Sequence, residues 1–263
     1  MNNLVNYAAE GGVALVTLSE PPDNAFTHEM MKELDEAIIE ARFDSDVHTV
    51  VITGAGERYF SAGASTEMLR EVDPTFQYYF FLHANETLAR LENTPKLVIA
   101  AINGHCTGGG LELALACDLR IARRSAARLG FPEVHLGVLP GIGGTQRLTR
   151  LLGKARAMEI LLDGEPFDQD RALALGLLHR VLDVPPQDFV PGVIELAYQF
   201  GPPRRPPLAV GRIKRALQSA EEVSLEQGIA LERELQFGLV STDDAREGFA
   251  ASRSRRPPSF SGR

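Results

Sequence analysis

Cysteine is scarce in this chain, and tryptophan is absent. The two cysteines, Cys106 and Cys117, provide neither a disulfide framework nor a Cys/His cluster with zinc spacing. No stretch approaches the ~20 uninterrupted apolar residues of a transmembrane helix, and the first residues lack a basic segment followed by an apolar core. These absences predict reduced thiols, no metal site, no membrane partner and a cytoplasmic location.

Positive charge is also in short supply. The chain has 27 Lys and Arg against 35 Asp and Glu, which gives a net charge of −8. Because nucleic-acid phosphates repel an acidic surface, we expect neither RNA nor DNA as the main partner. The apolar content of 44% is ordinary for a globular protein, and the length of 263 residues fits either one large α/β domain or one domain plus a small appendage.

Apolar runs typical of buried strands alternate with segments of helical periodicity. This alternation predicts an α/β fold with right-handed crossovers. The predicted strands cover residues 13–18, 48–53, 97–102 and 119–122. The first predicted helix begins after the N-cap residue Thr27, and another follows Gly108. Further helices are predicted at 75–92, 145–152, 155–162 and 168–175.

The pattern of predicted secondary structure changes at Pro185. Seven prolines interrupt the next stretch, no strand pattern remains, and helices are predicted at 208–220, 224–240 and 242–251. We therefore divide the chain into a core with the active site, residues 1–195, and a helical region, residues 196–263. A helical region that cannot join the sheet is expected to pack elsewhere, across a subunit interface.

The most informative stretch runs from Asn103 to Asp118. Three consecutive glycines, 108–110, follow the strand 97–102 and open a segment rich in Ala and Leu, so they place free N–H groups at a helix N-terminus. The spacing matches neither the dinucleotide fingerprint nor the phosphate-binding P-loop. Glu112, in the first helical turn, would repel a phosphate. It is either a proton-transfer group beside a developing enolate or simply an acid that is favourable near a helix N-terminus.

Two further glycine-containing segments and one acidic turn accompany this stretch. Residues 60–65 follow the second predicted strand, and residues 141–144 precede the helix 145–152. Between them, Pro132 and Glu133 fit the first turn of a short helix. Such turns at strand ends are either functional loops or ordinary solvent-exposed connections.

Four motifs in the same order and at similar spacings carry a family resemblance. With them the chain resembles the enoyl-CoA hydratase (crotonase) superfamily over nearly its whole length. The motifs are Asn24-Ala25, Ser61-Ala62-Gly63-Ala64, the stretch 103–118 and the stretch 131–148. The resemblance implies a spiral of ββα units with a helical C-terminal trimerisation region, and therefore a homotrimer or a homohexamer.

The resemblance also implies roles for individual residues. The backbone N–H groups of Ala64 and Gly109 correspond to the oxyanion hole that binds the thioester carbonyl oxygen. Glu112 corresponds to the carboxylate that activates water for addition at C3, and Glu133 to the one that exchanges the proton at C2.

Four further positions are implied to contact the substrate. Ala62 and Ser65 flank the first oxyanion-hole residue, where Ser65 replaces an Asp that many family members have. Gly141 corresponds to a glycine whose smallness leaves room for substrate and water, and Phe260 to an aromatic residue that reaches the adenine of CoA.

Because both glutamates are present, the predicted activity is hydration of an enoyl-CoA thioester to a 3-hydroxyacyl-CoA. No cofactor is expected, since CoA arrives as part of the substrate. The alternatives are a double-bond isomerase, another acyl-CoA hydrolase or dehydratase of the superfamily, and a catalytically silent CoA-binding or RNA-binding paralogue. The intact glutamates argue against silence, and the acidic charge argues against RNA.

Overall fold

The structure, a computed structural model, describes residues 3–263. Nine strands in this part of the chain form two sheets, one of six strands and one of three. The strands are β1 (Val5–Glu10), β2 (Val13–Leu18), β3 (Thr49–Gly54), β4 (Tyr59–Ser61), β5 (Leu97–Ile102), β6 (His105–Thr107), β7 (Leu119–Arg123), β8 (Leu129–Gly130) and β9 (Arg180–Leu182).

From β3 onward, successive strands alternate between the two sheets. The large sheet has the order β1-β2-β3-β5-β7-β9, and the small sheet has the order β4-β6-β8. Apart from the antiparallel pair β1 and β2, the paired strands are parallel. The chain thus passes three times from a long strand to a short one and then to helical structure, which is the predicted repeat of ββα units.

Eleven α-helices accompany the sheets in residues 3–263, together with 3₁₀ turns at Pro132–Leu136 and Tyr198–Phe200. The helices are α1 (His28–Phe43), α2 (Thr66–Glu71), α3 (Pro74–Glu92), α4 (Gly109–Ala116), α5 (Gly144–Leu152), α6 (Lys154–Asp163), α7 (Gln169–Ala174), α8 (Pro186–Ala197), α9 (Pro207–Ser219), α10 (Leu225–Phe237) and α11 (Asp243–Ser254).

The large sheet is covered on both faces, as expected for apolar parallel strands. One face packs against α1, α3 and α4 in the main hydrophobic core, and the other packs against α8 through Phe189 and Val193. Helix α1 begins after Thr27, whose side chain accepts a hydrogen bond from the Met30 N–H at 3.2 Å. This confirms the predicted N-cap.

The predicted long strands and most predicted helices are confirmed to within a few residues. The sequence analysis was wrong in two respects. It missed β1, β9 and all three strands of the small sheet, so the strand 97–102 does not lead directly into the glycine turn: β6 lies between them. It also missed α2 and α8. Because α8 is present, four helices follow Pro185 rather than three, and the first of them covers the sheet.

The residues that the structure describes contain no helix long and apolar enough to cross a membrane. The proposed division at residue 195 falls within the last turn of α8 and stays a prediction.

Candidate active site

The small sheet brings three separate segments of the chain to one edge. Its strands β4, β6 and β8 are parallel, so their carboxyl ends lie on the same side. Residues 62–64 follow β4, Gly108 and α4 follow β6, and the 3₁₀ turn that carries Glu133 follows β8. The three predicted site segments therefore meet, although about seventy residues separate the first from the last.

Two buried asparagines hold this arrangement together. The Asn103 amide nitrogen donates to the Gly54 and Gly56 carbonyls at 2.9 and 2.8 Å. The Asn24 amide nitrogen donates to the Tyr59 carbonyl at 3.0 Å. Both side chains are fully engaged with the backbone around β4, so the asparagines of the first and third motifs have a structural role.

The backbones of the two predicted oxyanion-hole residues lie side by side. A Cβ placed on Gly109 would lie 3.3 Å from the Ala64 nitrogen, and one placed on Gly63 would lie 2.5 Å from the Gly109 nitrogen. Within residues 3–263, neither the Ala64 nor the Gly109 N–H donates to a protein acceptor. Two neighbouring unused donors, one of them at a helix N-terminus, suit an oxygen that gains negative charge.

Glu112 is buried in the first turn of α4, with only 2% of its surface exposed. Its Oε1 accepts hydrogen bonds from the Ile142 N–H at 2.9 Å and from the Gly144 N–H at 2.6 Å. Its Oε2 accepts none from the residues described. The carboxylate is therefore fixed through one oxygen and keeps the other for a ligand.

Glu133 lies in the 3₁₀ turn, beneath the glycine turn. Its Oε2 is buried and has no hydrogen-bond partner among residues 3–263. Its Oε1 lies 2.8 Å from the point where a Cβ on Gly108 would be, and Gly108 has a φ of +54°. Only glycine fits both this backbone angle and this contact.

The surroundings raise the pKa of both carboxyl groups. Burial is the main cause, and together with the nearby negative charge of Glu133 it raises the pKa of Glu112 to about 7. The two N–H donors and the Arg147 cation oppose this rise. Burial also raises the pKa of Glu133. Two interacting carboxyls with displaced pKa values are a common arrangement for one acid and one base.

Comparison with known proteins identifies the family of this chain. The model of the enoyl-CoA hydratase/isomerase family matches residues 8–263. The chain belongs to this family. A short-chain-enoyl-CoA hydratase of Clostridium acetobutylicum is 37% identical, with 97% of this chain and 96% of that protein covered. A 2,3-dehydroadipyl-CoA hydratase of Escherichia coli is 39% identical, with 95% and 96% covered.

Solved structures of the family have the same fold. An enoyl-CoA hydratase from Geobacillus kaustophilus superposes with a TM-score of 0.95 at 38% sequence identity, covering 100% of this chain and 98% of that chain. The comparisons confirm the predicted family and an enzyme of the enoyl-CoA hydratase type.

The remaining predicted substrate contacts have clear places in this family fold. The Ala62 N–H donates to the Asp23 carbonyl at 3.0 Å, and the Ser65 hydroxyl caps α2 by accepting from the Met68 N–H at 3.2 Å. A Cβ on Gly141 would lie 2.9 Å from the Phe81 ring. The smallness of Gly141 is therefore already required by Phe81, whether or not substrate also uses the space.

Phe260 lies in the C-terminal segment. Its N–H donates to the Pro203 carbonyl at 3.0 Å, and its ring lies 3.7 Å from the Cβ position of Gly248 on α11. Within this chain it packs against helices of the C-terminal region, and its contact with CoA stays a prediction.

Sequence reasoning missed the residues that hold Glu112. A Cβ on Gly144 would lie 2.9 Å from both Cγ and Oε1 of Glu112, so the glycine lets the helix α5 approach the carboxylate. The glycine-rich turn 141–144 was recognised as a turn. The hydrogen bonds between this turn and Glu112 could not be predicted from the sequence, because 30 residues separate Glu112 from Ile142.

Proposed function

We propose that this chain is an enoyl-CoA hydratase in which Glu112 and Glu133 act as a base and an acid. The observation that carries the proposal is the position of two carboxyls with raised pKa values at the sheet edge where two backbone N–H groups are unused. Adding water to a conjugated thioester requires a base, an acid and a site for the enolate oxygen.

The thioester carbonyl oxygen accepts from the Ala64 and Gly109 N–H groups. Ionised Glu112 takes a proton from water through its free Oε2 while the water oxygen bonds to C3. The electron pair of the double bond moves toward the carbonyl oxygen, where the two donors stabilise the added charge. Protonated Glu133 then gives its proton to C2, which restores the thioester. Atoms and charge balance, since one proton enters the pair of carboxyls and one leaves.

The substrate class is an acyl-CoA with a double bond between C2 and C3. Relatives named for short-chain enoyl-CoA and for 2,3-dehydroadipyl-CoA support this class. Because the substrates in these two names differ in their acyl group, crotonyl-CoA serves as the probe of the hydration reaction itself.

The active form is proposed to be a homotrimer or a homohexamer. Single exposed apolar residues are normal, but a dense set suggests an interface. Residues 196–263 expose many large apolar side chains: Leu208, Ile213, Leu217, Val223, Leu225, Ile229, Phe237, Val240 and Phe249.

The test is loss of the conjugated-thioester absorbance when crotonyl-CoA is added to the wild type, Glu112→Gln and Glu133→Gln. We expect rapid loss with the wild type and a decrease of about 10²–10⁴-fold in each variant, the usual contribution of a proton-transfer group. A wild type inert to crotonyl-CoA that moves the double bond of a 3-enoyl-CoA would replace hydration by isomerisation. Inertness to both would contradict the proposed function.

A further inference from the structure

We propose that Arg147 and Glu92 form a positioning pair that holds the loop 141–144 against Glu112. The inference rests on the proposed function, because it concerns how the proposed base is kept in place. The loop matters because two of its N–H groups, those of Ile142 and Gly144, are the donors that fix Glu112 Oε1.

The guanidinium of Arg147 joins this loop to the helix α3. One nitrogen, Nη1, donates to the Ile142 carbonyl at 3.0 Å. The other two donate to the Glu92 carboxylate, Nε to Oε1 at 3.2 Å and Nη2 to Oε2 at 2.9 Å. The Arg147 side chain is only 16% exposed. Two parallel hydrogen bonds from a planar guanidinium to a carboxylate fix the relative orientation of the two groups in addition to pairing their charges. A lysine ammonium could pair the charge but could not fix the orientation.

The loop is shaped around this guanidinium. Gly143 has a φ of +109°, and a Cβ there would lie 2.1 Å from Arg147 Nη1. At the other end of the loop, the Asn85 amide nitrogen donates to the Gly141 carbonyl at 3.0 Å. Helix α3 thus holds the loop twice, directly through Asn85 and through Glu92 and Arg147.

The charge of Arg147 also acts on Glu112. Its cation lowers the pKa of Glu112, against the larger effect of burial, whereas Glu133 in the 3₁₀ turn raises it. Glu92 on α3 neutralises part of the Arg147 charge. Loss of the guanidinium would therefore loosen the base and also favour its protonated form, and both effects reduce the fraction of molecules able to activate water.

A purely structural ion pair would behave differently. It would add stability to the contact between α3 and α5 without changing how Glu112 titrates. The two readings are separated by comparing Arg147→Gln with Arg150→Gln, a matched loss of one cation three residues further along α5. Arg150 is exposed, and within residues 3–263 its side chain forms no hydrogen bond or ion pair with the loop or with Glu112.

We expect Arg147→Gln to lower kcat for crotonyl-CoA by about 10²-fold, since small misplacements of a reacting group cost about this much. KM should change far less, and the acid limb of the kcat–pH profile should move to higher pH. Arg150→Gln should retain wild-type kcat and the wild-type profile. Equal behaviour of the two variants, with an active wild type, would overturn the inference, whereas an inert wild type would instead overturn the proposed function.

A second variant, Glu92→Gln, covers the case in which Arg147→Gln does not fold. Glu92→Gln keeps Arg147 and its bond to Ile142 but removes the charged partner, so we expect a smaller loss of kcat without a loss of substrate binding. Unchanged kcat in a folded Glu92→Gln variant would remove Glu92 from the proposal.

Chemical rescue supplies an independent readout. A cavity of about 520 Å³ is lined by Gly143, Arg147, Arg150 and Glu92, and the exposed residue Gln146 also lines it. Guanidinium ion at a non-denaturing concentration should enter it and partly restore kcat to Arg147→Ala, but it should leave the wild type and Arg150→Ala unchanged. Absence of rescue in a folded Arg147→Ala variant, together with an unshifted pH profile, would contradict a positioning role.

Discussion

The two glutamates of the site have the same side chain but different surroundings. Glu112 is held through one oxygen by two backbone N–H groups, which stabilise its ionised form. Glu133 has a buried oxygen without a partner among residues 3–263, which favours its protonated form. These contacts support the proposed roles of Glu112 as the base and Glu133 as the acid.

This assignment predicts a bell-shaped dependence of kcat/KM on pH. Glu112 must be ionised, so activity should fall as pH decreases through its raised pKa of about 7. Glu133 must be protonated, so activity should also fall as pH rises through its raised pKa. The limbs report the coupled pair rather than either residue alone. Initial rates across a pH series provide the measurement, and a flat profile across neutral pH would contradict the assignment.

Glu112→Gln should lose most of its activity yet be more stable than the wild type at mildly alkaline pH. Folding raises the Glu112 pKa from its ordinary value of 4.5 to about 7. The ionised group therefore costs stability, an effect that begins above pH 4.5 and is complete above pH 7. At about 1.4 kcal/mol per pKa unit the full cost is on the order of 3 kcal/mol, which corresponds to a Tm several degrees higher in the variant.

The Gln side chain keeps an acceptor for the Ile142 and Gly144 N–H groups, so no bond need be lost. Thermal unfolding should show the difference in Tm shrinking as pH falls from about 7 to 4.5. A variant less stable than the wild type at every pH would show that the ionised carboxylate does not destabilise the folded protein.

At the scale of elements, the site is made by three very short parallel strands. The glycine-rich segments at their ends could be recognised in the sequence, because glycine clusters mark tight turns and close approaches. The strands themselves, of two or three residues, are too short to show a periodicity. Their pairing is the part of the site that only the fold reveals.

The Gly108 turn offers a test of this element. Gly108→Ala would force a Cβ to within 2.8 Å of Glu133 Oε1 at a φ of +54°, so Glu133 must move. We expect kcat to fall at least ~10-fold, a part of the contribution of a general acid. Steady-state kinetics with crotonyl-CoA measures the change.

Gly176→Ala is the matched control. Gly176 also has a positive φ, +77°, but its Cβ position has no neighbour within 4 Å. This variant should lose some stability without a comparable loss of kcat. Similar kinetic losses in both variants would mean that backbone strain, rather than contact with Glu133, explains the effect.

At the scale of the whole molecule, the sequence analysis predicted an α/β core and the helical end of the chain from composition and periodicity, whereas the repeat of ββα units followed only from the family resemblance. It missed α8, whose Pro191 and Gly192 weaken the helical pattern although Phe189 and Val193 face the sheet. Burial against the sheet outweighs these weak local preferences, and a single sequence does not display that contact.

The exposed apolar surface of residues 196–263 predicts assembly. Phe249→Asp and Leu217→Asp place charge on side chains that are 70% and 68% exposed in the isolated chain. If these positions lie in the interface, burying an unpaired charge should shift the protein toward monomers in analytical ultracentrifugation. Phe43→Asp, at a position outside the region that is 81% exposed, is the control and should retain the assembly. A wild type that sediments as a monomer would contradict the proposal.

The most direct test of the account separates the two carboxylates by the proton each one handles. A saturated acyl-CoA in D₂O can exchange its C2 proton but offers no double bond to hydrate, so exchange should require Glu133 and not Glu112. We predict deuterium at C2 with the wild type and with Glu112→Gln, and none with Glu133→Gln, as measured by mass spectrometry. Exchange that depends on Glu112 and survives in Glu133→Gln would contradict the assignment.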